Sequence, residues 1–172
     1  MEKETISYIK KLADVLRFAC GIDGSMCSME NYVRTLGGRV KEEPGIDLFY
    51  DSGVRKTGEK SFVLLLPPHM PEKEQTFAQA SELGHLFLHM GYLIDEKQWE
   101  KQPCGKAGPL SDTMREQAFE FAMALLLPRE EFEKALLNAS DKNFADISEV
   151  SKHFNVSVSL ALKRGRDLGY IA

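Results

Sequence analysis

The stretch between Pro71 and Gly91 constrains this chain more than any other. Pro71 followed by Glu72 and Glu74 predicts a helix start, because proline suits the first turn and acids suit the positive end of the helix dipole. Gly91 predicts the stop, so the helix is expected to run to about Met90. On a wheel at ~100° per residue, Gln75, Gln79, Ser81, Glu82, His85 and His89 share one side. Ala80, Leu83, Gly84, Phe87 and Met90 share the other. Such a helix is mostly buried and keeps one polar stripe. Polar groups buried without partners are costly, so the stripe must meet water, a ligand or polar neighbours. It is the first place to look for a site.

The segments around it set the fold class. Residues 4–19 repeat apolar groups at helical spacing (Ile6, Ile9, Leu12, Val15, Leu16, Ala19), and Gly21 and Gly24 are expected to stop that helix. A second helix is expected at Met29–Leu36, ended by Gly37-Gly38. Ile46–Tyr50 and Ser61–Leu66 read as strands of a hairpin, with turn residues across Asp51–Lys60 and a stop at Pro67-Pro68. Residues 95–110 read as a loop. A helix is expected from Ser111–Thr113 to Pro128, and another from there with Glu130 and Glu131 in its first turn. Two short helices, about 146–154 and 157–168, close the chain, with Gly169 as a stop. The pattern predicts an α+β fold, mostly helical with a small antiparallel sheet.

Composition narrows the function. A length of 172 residues suits one domain. Lys+Arg 22 against Asp+Glu 26 leaves a net charge of −4, which speaks against binding nucleic acid over the whole surface. Cys20, Cys27 and Cys104 show no CxxC spacing, which argues against a disulfide scaffold or a cysteine zinc site and for a reducing cytoplasm. No run approaches the ~20 apolar residues of a membrane span, and the first residues lack a signal core.

Ser81-Glu82-Leu83-Gly84-His85 is one substitution from H-E-x-x-H. In that motif two histidines one turn apart hold zinc, and the glutamate acts as general base on the bound water. Residues 77–89, FAQASELGHLFLH, resemble the central helix of the ImmA/IrrE-type metallopeptidases, F-x-x-A-H-E-L-G-H-x-x-L-H. Residues 116–122 with 125–128 resemble that family's E-x-x-A-N-x-F-A-x-x-L-L-x-P helix. Phe154–Ser157, Arg164 and Leu168-Gly169-Tyr170 are similar to its helical ending. The resemblance covers roughly residues 5–170. It implies a zincin-like fold and a single peptidase-like domain over 1–172: an N-terminal helix at 1–24, a zincin-like core at 25–128 and C-terminal helices at 129–172. Active relatives of this kind cut a transcriptional repressor, often one controlling a mobile element or a stress response.

The metal site does not carry over intact. Ser81 stands at the first histidine, Glu82 at the general base and His85 at the second histidine. The third ligand, a glutamate three residues before the alanine of A-N, falls on Arg115, and the asparagine falls on Phe119. A serine hydroxyl is a poor zinc ligand, and a guanidinium has no free lone pair. Glu116 lies next to the third position but ~100° around the helix, and Thr113-x-x-Glu116 reads as a capping box. The expected site is therefore Ser81, Glu82, His85 and Arg115, with no metal or other cofactor. Arg115 is expected to contact Glu82, directly or through water, in place of zinc. A displaced metal, zinc again, would need His85 with His89 or Glu116.

The expected function is that of a non-catalytic regulatory binding module acting on a transcriptional repressor or related protein. The alternative is an active metal-dependent peptidase with an unusual ligand set. Met90, Tyr92, Trp99, Met114 and Phe119 are candidates for exposed contacts near the cleft. The last two helices have a helix-turn-helix outline with Lys163, Arg164 and Arg166, but Asp146, Glu149 and Asp167 offset them. The expected partner is a regulatory protein or peptide, not DNA and not a membrane.

Overall fold

The computed structural model describes residues 1–19, 28–106, 109–141 and 144–171. Among them the chain runs α1 (Lys3–Ala19), α2 (Met29–Thr35), β1 (Gly38–Glu42), β2 (Val54–Gly58), β3 (Ser61–Leu66) and α3 (Glu72–Leu88). It continues through α4 (Glu96–Glu100), β4 (Gly105–Lys106), α5 (Asp112–Leu126), α6 (Arg129–Asn138), β5 (Ser140–Asp141), β6 (Phe144–Ala145), α7 (Ile147–His153) and α8 (Val158–Asp167). Cys20, Cys27 and the expected stops Gly21 and Gly24 lie outside the described residues.

The helices follow their local chemistry. α3 opens on Pro71 with Glu72 and Glu74 in its first turn. It ends at Leu88, where Gly91 turns with φ +79° and the Tyr92 N–H returns to the Leu86 carbonyl at 3.2 Å. Ser111, not Thr113, caps α5, its hydroxyl accepting from the Met114 N–H at 3.2 Å, so the expected Thr113/Glu116 capping box is not formed. Pro128 follows Leu127 and pushes it out of helical geometry, which stops α5 and opens α6. Asp146 and Ser157 cap α7 and α8.

The sheet is mixed, in the order β1-β3-β2-β4. β3 pairs parallel with β1 (Val40 opposite Leu64) and antiparallel with β2 (Val54 opposite Leu64). The hairpin is real, but its first arm is β2, inside the stretch read as turn. Ile46–Tyr50 is not a strand, because Asp47 caps its own backbone. Its carboxylate accepts from the Phe49 N–H at 2.9 Å, and its carbonyl accepts from the Asp51 N–H at 2.8 Å. The expected loop over 95–110 contains α4, started by Asp95 accepting from the Gln98 N–H at 3.0 Å. It is anchored by Trp99, whose Nε1–H donates to the Glu59 carbonyl at 2.5 Å. Met90, Tyr92 and Trp99, expected near an exposed face, are core residues.

Two apolar clusters hold the layers together. The larger joins α1, α2, the sheet, α3 and α5 through Ile9, Val33, Leu64, Leu83, Phe87 and Phe121. Burying a side chain of this size contributes ~1.5–3 kcal/mol. The smaller joins the end of α5 to α6, α7 and α8 through Met123, Leu127, Phe132, Val150, Phe154 and Ala161. Arg164 is 3% exposed and its Nε–H donates to the Leu127 carbonyl at 2.8 Å. Lys163 pairs with Asp167 at 3.1 Å. Arg164 of the supposed basic helix therefore points inward as a tie between α8 and α5.

α3 and α5 pack tightly against each other. A methyl group added at Gly84 would lie 2.9 Å from the Ala118 Cα. Only glycine lets the two backbones come this close. This contact sets the polar stripe of α3 beside the first turns of α5.

Candidate functional site

The cleft lies between α3, the start of α5, the loop before β2, and α8. It has a volume of about 510 Å³. Ser81, Glu82, His85 and Arg115, the four residues expected to share a site, all line it. Its walls are mostly apolar (Leu48, Phe49, Met70, Phe77, Phe119 and Leu160), with Lys73, Glu74 and Ser157 among them. Phe77 and Phe119 meet edge to face, with ring centroids 5.2 Å apart.

Glu82 is 2% exposed and turned toward the start of β2. Its Oε2 accepts from the Ser52 hydroxyl at 2.9 Å and the Gly53 N–H at 2.7 Å. The Ser52 hydroxyl is fixed in turn by accepting from the Val54 N–H at 3.1 Å. Gly53 has no room for a side chain, because a Cβ would strike the Leu65 carbonyl oxygen and lie 3.4 Å from the Glu82 carboxyl carbon. Burial pushes the Glu82 carboxyl up to about 7, against the hydrogen bonds from Ser52, Gly53 and Val54 and the charge of Arg55, all of which lower it. At neutral pH the group is divided between acid and carboxylate.

His85 is 4% exposed and belongs to a relay. Gln117 Oε1 lies 3.0 Å from His89 Nε2, and a carbonyl oxygen only accepts, so that nitrogen carries the hydrogen. Neutral His89 then offers a lone pair at Nδ1, and His85 Nδ1–H donates to it across 2.9 Å. Burial, His89 and the charge of Arg115 together hold His85 down to about 3. Burial also lowers His89, partly offset by its bond to Gln117. Both rings are therefore neutral at physiological pH.

The expected direct contact between Glu82 and Arg115 is not formed. Arg115 donates to the Leu110 carbonyl at 3.0 Å and to Asp112 Oδ1 at 2.5 Å, and its guanidinium lies 5.5 Å from the Phe49 ring centre. Leu110 and Asp112 belong to the start of its own helix, and Phe49 belongs to the cleft wall. Glu82 is held instead by Ser52 and Gly53.

The donor set does not fit zinc. Ser81 offers a neutral hydroxyl and Arg115 a bound cation where two ligands are needed. His85 and His89 spend their facing nitrogens on each other. Glu116 is exposed and does not line the cleft. Among the described residues no group of three or more His, Cys, Asp or Glu could hold a metal ion.

A profile of the IrrE N-terminal-like domain matches residues 39–165. The chain belongs to that family. The fold of this IrrE-like domain is similar to that of a Mycobacterium tuberculosis transcriptional regulator, with a TM-score of 0.56 at 18% identity. The match covers 92% of this chain and 46% of that one, so the chain spans about half the regulator's length. No curated protein matches it. The family assignment agrees with the zincin-like α+β expectation, with the sheet mixed rather than antiparallel. No described helix is long and apolar enough to cross a membrane.

The sequence alone did not reveal several site residues. Ser52 and Gly53 lie 30 and 29 residues before Glu82, with no spacing to betray them. Gln117 carries no motif either. Phe119, expected near the cleft, does line it, and Phe77 was legible in principle, since it stands one helical turn before Ser81.

Proposed function

We propose that this IrrE-like domain is a non-catalytic regulatory binding module whose cleft engages a transcriptional repressor or a related protein. The observation that carries this is the pairing of an intact cleft with a lost donor set. Ser81 and Arg115 stand at two ligand positions, and Arg115 is committed to Leu110 and Asp112. Glu82 keeps the place of a general base but faces a backbone N–H and a hydroxyl. A base whose neighbours cannot hold a metal is offered no activated water to deprotonate. The likeness to a transcriptional regulator fits a regulatory role. Such a module would work in the cytoplasm, where repressors act.

The test is metal content and turnover on the purified chain. After reconstitution with zinc and gel filtration, the chain is expected to hold far less than one equivalent, to stay folded in chelator, and to leave co-expressed repressors uncut while retaining one of them. One zinc per chain, lost on His85→Ala and accompanied by repressor cleavage, would overturn the proposal in favour of an active peptidase.

A further inference from the structure

The floor of the cleft carries an unused acceptor. The relay from Gln117 through His89 fixes His85 as the Nδ1–H tautomer, which leaves a lone pair on Nε2. Nε2 accepts no hydrogen bond from a described residue. It is also absent from the polar atoms sealed without a partner, so it opens into the cleft that His85 lines. His85 itself is almost wholly buried, since only 4% of it is exposed. An acceptor that opens into a pocket with mostly apolar walls is available to a donor that a ligand brings.

The walls say what brings that donor. Phe49, Phe77 and Phe119 offer aromatic surface, and Leu48, Met70 and Leu160 offer aliphatic surface. The charged residues that line the cleft come in both signs, Lys73 and Arg115 with Glu74 and Glu82, so no net charge there selects a cation or an anion. What remains is a neutral, flat, apolar body with one donor and no acceptor to leave unsatisfied. Among side chains that describes indole.

We infer that the cleft receives a tryptophan side chain of a partner polypeptide, its indole N–H donating to His85 Nε2 between the phenylalanine walls. This rests on the domain's being a binding module and names the chemistry that it recognises. A cleft of about 510 Å³ holds one such anchor and its flanking backbone. The anchor would sit in the part of the cleft where the family's motif places its metal ligands.

The experiment titrates the full chain with indole, 1-methylindole and n-butylammonium, followed by the imidazole 15N resonances of His85. Indole is expected to bind about fivefold more tightly than 1-methylindole, which lacks the N–H, and to move the His85 Nε2 resonance. In His85→Phe that preference should vanish. The wild-type comparison stands on its own if the variant does not fold. Equal binding of the two indoles, tighter binding of butylammonium, or no binding of indole would each overturn the inference. Failure of the binding-module reading shows separately, as zinc uptake and repressor cleavage.

Discussion

Replacing Glu82 with glutamine isolates the energetics of the buried carboxyl. In the folded chain burial raises its proton affinity from the ordinary 4.5 to about 7, so in the interval between those values the native state holds a proton that the unfolded chain has released. Stability must then fall as pH rises through that window, and stay level above it and below it. At ~1.4 kcal/mol per tenfold change in proton affinity, the gap amounts to roughly 3 kcal/mol. Glutamine has nearly the same shape and can still accept from Ser52 and Gly53, but it cannot titrate. Other groups contribute equally to both proteins and cancel in the difference. Urea unfolding of wild type and Glu82→Gln from pH 4.5 to 8 should therefore show the variant gaining roughly 3 kcal/mol relative to wild type. A constant difference across that range would refute the claim that burial outweighs the hydrogen bonds at Glu82. A difference running the other way would mean that those bonds and Arg55 hold the group ionised.

Two further substitutions test the site and the packing that positions it. Ser81→His with Arg115→Glu restores the expected ligand pair around His85 and should give one tightly bound zinc per chain by calorimetry; no affinity would count against the placement of α5 beside α3. Gly84→Ala should destabilise the fold by ~1–3 kcal/mol, because the new methyl meets Ala118 backbone 2.9 Å away rather than a side chain that can swing aside; an unchanged urea midpoint would show that the helices separate freely.

The helices were legible in the sequence because their signals are local. Proline, acids and capping hydroxyls marked the starts of α3, α5 and α8, and glycine or proline marked their ends. The sheet was legible only at Ser61–Leu66, where six residues make one compact apolar run. β1 hid because Arg39, Lys41 and Glu42 give an edge strand no apolar alternation. Ile46–Tyr50 misled because its apolar residues look strand-like, while the decisive bond comes from Asp47 to its own backbone. For the site, the motif located Ser81, Glu82 and His85 and placed Arg115 beside them. It could not reveal which groups each of them binds, since the partner of Glu82 is decided by how the loop before β2 folds over α3 and that of Arg115 by the start of α5.

Trp99 is the chain's single indole, and only 5% of it is exposed. Its ring is packed against Tyr92, covered by the Lys56 ammonium and tied to the hairpin tip at Glu59. Its intrinsic fluorescence therefore reports one corner of the protein, where α4 closes over the β2–β3 turn. Emission should shift to the red when that corner comes apart. It gives every chain a built-in gauge of whether the sheet is standing.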